Sequence, residues 1–431
     1  MRRRLSNLFV YFNPRILSML MLGISCGIPL LLTGSTLTMW FTEVGVDKTT
    51  IGLASLIGFP YSFKFLWAPA MDFVSIPVLS NLLGRRKAWI VLMQFCLIIC
   101  IIIMGYSKPE DMLSFTAMMA VFVAFFSASQ DIVVDAYRLE LLSEKEQGPG
   151  VSSYITGYRI GMLIAGAQAL FMAEYMDWST VYLIMAIIIG VAMSIVLFLP
   201  EPDVNVNTKF FSKSVFFRRK EKGIMIIVRK TIIQPFTDFA KKDGWLAMLL
   251  LILLYKMGNA FVGHMANPFY IELGFSKSEI ATIVKTYGLI ATIVGALVGG
   301  SIVHKYGMAK GLWIGGIAQL LSILLYIVQE YFGYNNLVLV LTISLEDLAS
   351  GMGSAAVFTF ISRACSNPLY TATQYALISS LSAFGRSFVS SGSGYVAEVY
   401  GWTNFFVFST LLTVPGLIVL FYLHFNNKIK S

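Results

Sequence analysis

Runs of roughly 20 apolar residues recur along the whole chain and are separated by short polar segments. An α-helix of about 20 residues is long enough to cross a hydrocarbon layer of about 30 Å. The pattern therefore predicts an all-α membrane protein with twelve spanning helices. Their predicted limits are 16–40, 51–70, 88–106, 112–136, 151–173, 180–200, 245–271, 279–303, 311–329, 337–361, 371–396 and 403–424.

The composition excludes a soluble globular enzyme. Of the 431 residues, 57% are hydrophobic and only 13% are charged, about half the charged fraction of an average soluble protein. The four cysteines lie in apolar runs or beside a basic loop, so neither a disulfide framework nor a structural metal is predicted. Because the motifs of nucleotide binding and of hydrolytic catalysis are missing, we expect no cofactor and no enzymatic activity.

The basic residues are concentrated on one side of the predicted membrane topology. If loops alternate between two sides, 24 of the 32 Lys and Arg residues lie on the side of the termini, 3 lie on the other side and 5 lie inside spans. This asymmetry predicts cytoplasmic termini. The net charge of +9 therefore reflects topology, and no nucleic-acid partner is expected.

The predicted spans form two repeated halves. Residues 201–244 are hydrophilic and divide the chain into a bundle at 1–200 and a bundle at 245–431. Within this linker, residues 225–239 have the apolar spacing of a short interfacial helix. The segment 40–51 reappears at 269–280, and the loop after the second span matches the loop after the eighth. Two pseudo-symmetric six-helix bundles are the plan of a major facilitator transporter.

Nine charged residues fall inside the predicted spans, where each costs about 2.5–3.5 kcal/mol unless it faces protein or water. They are therefore expected to line the interior. The basic members are Lys64, Arg159, Lys256, Lys285 and Arg386, and the acidic members are Asp131, Asp135, Glu346 and Asp347.

Two kinds of site follow from these charges. Asp131, Asp135 and Arg138 share one stripe of the fourth span. A proton site at Asp131 or Asp135 and a fixed Asp135–Arg138 ion pair are both open, and Glu346 and Asp347 are further proton candidates. Arg159 and Arg386 are expected to hold an anionic solute by paired hydrogen bonds, the alternative being internal ion pairs to Glu346 or Asp347.

Other polar and aromatic side chains of the spans suit a sugar-containing solute. Hydroxyls and amides can bond to sugar hydroxyls, and aromatic rings can stack on sugar rings. The predicted solute-binding set is Thr33, Trp40, Tyr61, Lys64, Gln130, Arg159, Asn259, Gln374 and Arg386. Asp72, Gly84, Arg85, Arg86 and Arg138 are predicted to form the inner gate, with Asp72 accepting hydrogen bonds from a basic residue.

Several short motifs resemble the AmpG-type muropeptide permeases, a branch of the major facilitator superfamily that is also similar to acetyl-coenzyme A transporters. They include Pro60-Tyr-Ser-Phe-Lys64, Ser129-Gln-Asp131, Asp135-Ala-Tyr-Arg138, Gly157-Tyr-Arg159 and Thr371-Ala-Thr-Gln374. Their order and spacing match over most of the chain, whereas His304 departs from the family's second loop motif.

This resemblance implies a monomeric, proton-coupled importer in the bacterial inner membrane. Its implied substrates are anhydromuropeptides, anionic sugar-peptides that move from periplasm to cytoplasm for wall recycling. A carrier of another anionic metabolite, such as an acyl-coenzyme A, is the first alternative. An intramembrane lipid-modifying enzyme using Asp131 and Asp135 is the second.

Overall fold

A computed structural model describes residues 9–46, 54–202, 234–365, 370–390, 392–426 and 428–429, and these residues form helices and connecting turns without a strand. Ten helices are long and apolar enough to cross a membrane. In chain order they are α1 (Pro14–Glu43), α3 (Arg85–Gly105), α4 (Pro109–Leu141), α5 (Gln147–Ala173), α6 (Trp178–Phe198), α7 (Trp245–Glu272), α8 (Leu289–Tyr306), α9 (Met308–Phe332), α10 (Asn336–Ala364) and α12 (Ser393–Phe425).

The second and eleventh predicted spans are helical but differ from the other ten. The second, called α2 below, consists of four short segments, Ala54–Gly58, Phe59–Phe63, Lys64–Leu66 and Ala68–Phe73. Proline has no backbone N–H to donate, so Pro60 and Pro69 each lie in the first turn of a new segment. The eleventh, α11 (Thr371–Ser390), is one helix whose serine content lowers its hydropathy.

Two predicted limits need correction. The expectation of one continuous helix over 51–70 is wrong for its described part, residues 54–70, because the prolines divide it. The eleventh span was expected to reach residue 396, but a helix that begins at Ser393 runs into α12 across a break at Gly401 (φ 76°, ψ 171°). Only glycine adopts this backbone conformation readily.

The two halves repeat each other at the level of side-chain contacts. The Trp178 indole donates to the Glu43 carboxylate at 2.9 Å, and the Trp402 indole donates to the Glu272 carboxylate at 2.5 Å. Glu43 and Glu272 are matching residues of the repeated segment. Each pair ties the end of the first helix of a half to the start of its sixth.

The repeat extends to the loop after the second helix of each half. Gly84 (φ 89°, ψ 167°) precedes α3, and Gly307 (φ 88°, ψ 165°) precedes α9. These left-handed conformations are strained for residues with a Cβ, so the matching glycines are required by the same turn. The division at 201–244 remains a prediction, because residues 203–233 lie outside the described part of the chain. Of the predicted interfacial helix, the described residues show helix over Gln234–Ala240.

Close helix packing makes each half a compact unit. A Cβ added to Gly157 of α5 would lie 2.0 Å from the Leu20 carbonyl oxygen of α1, and one added to Gly161 would lie 2.3 Å from that of Ile24. Small residues allow such close approach of two backbones. In the second half, Gly295 of α8 packs equally closely against Leu348 of α10.

The two halves meet at one end of the bundle, which we call the basic end. It contains the N-terminal segment, the 74–84 turn, the 142–146 turn, the start of α7 and the end of α12. Two contacts there cross between the halves, because the Tyr11 hydroxyl donates to the Leu297 carbonyl and Arg363 donates to the Glu144 carbonyl. At the opposite end, the contacts of Trp178, Trp402 and Tyr334 stay within one half. The structure is therefore closed between the halves at the basic end.

Candidate functional site

Asp72 joins the halves at the basic end. This carboxylate at the end of α2 is fully buried and accepts hydrogen bonds from the Ala372 N–H at 3.1 Å and the Thr373 N–H at 2.8 Å. The Thr373 hydroxyl donates to it at 2.7 Å. These donors lie in the first turn of α11, so Asp72 caps a helix of the other half. The positive end of the helix dipole adds to the attraction.

Arg86 holds the same carboxylate from its own half. Its guanidinium donates to Asp72 Oδ1 at 2.9 Å and to the Met71 carbonyl at 3.0 Å. It also pairs with Glu140 of α4 at 2.9 Å through Nε. Arg85 donates to the Asp72 carbonyl oxygen. The structure thus brings together Asp72, Arg85 and Arg86, three of the residues predicted to form the inner gate. Arg85 and Arg86 directly follow the turn at Gly84.

We call the contacts of Asp72 with Arg85, Arg86 and the first turn of α11 the clasp. Sequence analysis missed several of its other members. Glu201 accepts from the Arg86 and Lys87 backbone N–H groups at 2.7 and 3.1 Å and so caps α3. Glu140 follows Arg138 by two residues, and no spacing rule links it to Arg86. The Thr371–Gln374 motif was noted, but only the folded chain shows that two of its backbone N–H groups donate to Asp72.

Arg138 forms a second bridge between the halves. It lies 3.1 Å from Asp135 and donates to Ser362 of α10 at 3.5 Å. Its guanidinium carbon lies 5.3 Å from the centre of the Tyr154 ring and 5.4 Å from that of Tyr375. The fixed Asp135–Arg138 ion pair, one of the two alternatives from the sequence, is therefore present in this conformation.

Arg159 lies on the face of α5 that meets the second half. Val151 and Ile155 pack with Ala296 of α8, and Arg159 follows Ile155 by one helical turn. The Arg159 side chain is exposed, and within the described residues no carboxylate lies within 4.0 Å of its guanidinium. Its recorded contact is to the Met162 sulfur at 4.0 Å. An unpaired guanidinium is thus presented between the halves.

Arg386 occupies the corresponding face of α11. Ala372 and Ala376 of this helix pack against the first half, and Arg386 lies on about the same face, roughly four turns further along. It is half-buried and donates to the Ser382 hydroxyl at 2.6 Å. The described residues contain no ion pair between Arg386 and Glu346 or Asp347.

The remaining charges of the second half bind neutral neighbours. Glu346 accepts from the Asn259 amide at 2.8 Å, and Asp347 accepts from the Thr292 hydroxyl at 2.9 Å. Lys256 donates to the Ser354 hydroxyl. The internal ion pairs considered as an alternative are therefore not formed here, and positive and negative groups remain available to a solute or a proton. The side chain of Lys285 lies outside the described part.

Asp131 lies in a tyrosine-lined part of the first half. It is 7% exposed, and its Oδ1 atom has no hydrogen-bond partner among the described residues. The neighbouring Tyr61 hydroxyl is likewise buried without a hydrogen-bond partner among the described residues. Lys64 and Asp135 are the charged groups that act on Asp131, whereas Arg159 acts on Asp347 across the halves. Within the described part of the chain, Asp131 forms no ion pair within 4.0 Å.

Four predicted solute-binding residues are buried and have protein partners in this conformation. Gln130 is fully buried and donates to Ser25 at 2.7 Å, and the equally buried Gln374 donates to the Pro235 carbonyl at 3.1 Å. Thr33 bonds to the Pro29 carbonyl of its own helix. Trp40 stacks on Trp178 with ring centres 5.6 Å apart. These side chains contact other protein groups here, and their role in a solute path remains a prediction.

Comparison with known sequences identifies a family. The sequence model described as Major Facilitator Superfamily matches residues 15–388. The chain is 36% identical over 425 residues to the "Putative transporter AmpG 4" of Rickettsia felis, covering 98% of this chain and 99% of that one. It is also 36% identical over 414 residues to the "Anhydromuropeptide permease" of Escherichia coli K12, covering 95% and 80%.

Solved structures share the fold at low sequence identity. The transporter FucP, described in an outward conformation, aligns with a TM-score of 0.69 and 14% identity, covering 96% of this chain and 99% of that one. The proton:xylose symporter XylE aligns with a TM-score of 0.66 and 14% identity, covering 97% and 95%. Both comparisons show that this chain shares their fold.

Proposed function

Because the chain belongs to the Major Facilitator Superfamily, in which two bundles alternate in exposing a central site, we propose that it imports anhydromuropeptides across the inner membrane of a bacterium. The observation that carries this proposal is the exposed guanidinium of Arg159, which faces the second half without a carboxylate partner among the described residues. The relatives named as AmpG-type transporters supply the substrate class.

The interior suits an anionic sugar-peptide. Arg159 and Arg386 supply planar guanidinium groups, which bind carboxylates through paired hydrogen bonds. Lys256 adds a third cation, and Asn259 adds an amide that can bond to sugar hydroxyls. We assign the carboxylates of the peptide to the arginines. A neutral sugar would leave these cations without a partner.

The clasp at the basic end acts as the inner gate in this proposal. The basic end is assigned to the cytoplasm because Lys and Arg accumulate there. Release of solute to the cytoplasm requires Asp72 to leave the first turn of α11 and Arg138 to leave Ser362. These bonds stabilise the closed state, and a bound solute shifts the population only if it binds the open state better.

Proton coupling is assigned first to Asp131. Asp135 already neutralises Arg138 at 3.1 Å, so its charge is needed for the gate. Asp131 has an oxygen without a partner among the described residues, which leaves room for a proton. Glu346 and Asp347 are the alternatives in the second half. The chain is proposed to act as a monomer, because the two halves that enclose its interior are parts of the same chain.

The experiment that tests the function uses a bacterium lacking its own muropeptide permease. Expression of the wild-type chain is expected to restore entry of labelled wall fragments into the cytoplasm. The variant with both Arg159→Gln and Arg386→Gln is the transport-dead control and should restore none at equal protein level. Failure of the wild-type chain to restore entry, despite normal insertion, would overturn the proposed substrate.

A further inference from the structure

A cavity lies at the basic end, between the two halves. Its volume is about 710 Å³, which is within the usual range for sites of small organic ligands. The first half contributes Glu144 and Gln147, and the second half contributes Phe360, Arg363 and Lys242. The cavity therefore exists only while the halves are together.

Two polar atoms of the cavity wall lack partners. Gln147 is 5% exposed, and its side-chain nitrogen donates to the Leu139 and Leu142 carbonyls at 3.2 and 3.0 Å. These two bonds fix the amide and leave Oε1 buried without a donor among the described residues. The Arg363 Nε–H is also buried without an acceptor there. An unpartnered buried polar atom costs free energy that a bound ligand can recover.

The charges around the cavity favour an anion. Of its two carboxylates, Glu140 is neutralised by Arg86, and the Glu144 side chain is 74% exposed. The 3.4 Å contact between Glu144 and Arg363 is thus a solvent-exposed pair, which contributes little to stability. Arg363 supplies the cationic side of the cavity, which is also lined by Lys242 and Lys428, whose ammonium groups donate to the Ala364 carbonyl and to Asp243.

We propose that this cavity binds a small organic anion from the cytoplasm and that the bound anion holds the transporter closed at its basic end. A carboxylate or phosphate contacts the Arg363 guanidinium, and a hydroxyl or amide N–H of the same ligand donates to Gln147 Oε1. The ligand touches both halves, so it stabilises the closed clasp. Accumulated cytoplasmic anion thereby slows further transport. That the slowed transport is import rests on the proposed function.

Two sources can supply this chemistry. The released solute carries peptide carboxylates and sugar hydroxyls if the proposed function holds. A phosphate-bearing solute of the cytoplasm carries the same kinds of group. Labelled anhydromuropeptide and inorganic phosphate are therefore the two probes, each titrated onto the purified full chain. An Arg159→Gln background weakens the central site, so that binding at the basic end is observed separately.

A matched pair of variants tests the site. Arg363→Gln removes the guanidinium and its ion pair with Glu144, whereas Glu144→Gln removes the same ion pair and keeps the guanidinium. For the probe that binds, we expect Arg363→Gln to weaken binding about tenfold, the worth of one charge-assisted hydrogen bond. Glu144→Gln should bind it as tightly as the background protein or more tightly. Gln147→Leu, which removes the lone acceptor, should also weaken binding.

The outcomes separate the two proposals. Arg363-dependent binding of either probe supports the cytoplasmic site and identifies its source, even if import of anhydromuropeptide fails. Saturable binding of neither probe overturns the site. An equal loss of binding affinity in Arg363→Gln and Glu144→Gln also overturns it, because loss of the ion pair between these two residues would then be the cause. Thermal unfolding of each variant verifies that the chain is folded.

Discussion

At the scale of single residues, the proposed function depends on guanidinium groups that have no carboxylate partner among the described residues. Buried or half-buried arginines usually have carboxylate partners, as Arg86 and Arg138 do at the basic end. Arg159 and Arg386 have none within 4.0 Å among the described residues. Lysine preserves the charge but cannot form the paired hydrogen bonds of a guanidinium.

We therefore expect Arg159→Lys and Arg386→Lys each to weaken solute binding by about 1 to 3 kcal/mol, since each replaces a charge-assisted paired contact with a point charge. Equilibrium binding of labelled anhydromuropeptide to purified protein measures the change. Arg15→Lys, at an exposed arginine of the basic end, is the control and should bind normally. Unchanged affinity and rate in both interior variants would leave the arginines a structural role at most.

Asp131→Asn tests the assignment of the proton. The amide imitates the protonated acid permanently, so reorientation no longer depends on a proton. We expect the variant to lose uphill accumulation while it still exchanges labelled for unlabelled solute across the membrane. Exchange and accumulation in proteoliposomes measure the two activities. Continued accumulation by Asp131→Asn combined with its loss in Asp135→Asn would assign the proton to Asp135.

The residues of the clasp could be predicted better than those of the solute path. Asp72, Arg85 and Arg86 stand in a loop motif, where residue type and position together indicate the role. Gln130 and Gln374 were assigned by type alone, and their orientation depends on how each helix is rotated within its bundle. The partner of Gln130 is Ser25 on another helix, which no local pattern indicates.

At the scale of elements, the proposed gate is a helix end capped by the other half. An N-terminus offers N–H donors that need acceptors, and Asp72 supplies a charged acceptor to α11. The sequence indicated an acid opposite a basic residue, but it did not reveal this cap, because the donors are backbone groups. The broken α2 also escaped prediction, since its hydropathy is that of a continuous span.

Asp72→Asn should open the gate. The amide nitrogen would face N–H donors, and the lost charge-assisted bonds are worth about 1.5 to 3 kcal/mol each, so the population should shift toward opening at the basic end. A cysteine introduced at Ala376, which is 1% exposed between the halves, should react faster with a maleimide. Asp111→Asn, at the opposite end, is the control. Unaltered labelling would remove Asp72 from the gate.

The close contact of α1 with α5 predicts that substitution of Gly157 lowers the stability of the protein, whereas substitution of Gly190 does not. Gly157→Val places a side chain against the α1 backbone, where even a Cβ would lie 2.0 Å from an oxygen, so α1 and α5 must separate. We expect a clearly lower temperature of unfolding. Gly190→Ala, whose nearest side-chain atom would lie at 3.8 Å, should unfold like the wild type. Equal unfolding temperatures would contradict the close packing.

At the scale of the whole molecule, the repeat is the feature that the sequence predicted best. The 40–51 and 269–280 segments match in sequence, and the structure gives them matching contacts to Trp178 and Trp402. The partner tryptophans could not be predicted, because they lie about 130 residues further along the chain. The closed basic end also required the folded structure, since a sequence does not distinguish alternate states of one transporter.

Uptake into proteoliposomes tests the central claim most directly. Purified protein is supplied with a proton gradient, acidic outside, and with labelled anhydromuropeptide or a labelled acyl-coenzyme A. The account predicts concentrative uptake of the anhydromuropeptide that collapses with the gradient and is lost in the variant with both Arg159→Gln and Arg386→Gln. Accumulation of the acyl-coenzyme A with no uptake of the anhydromuropeptide would contradict it.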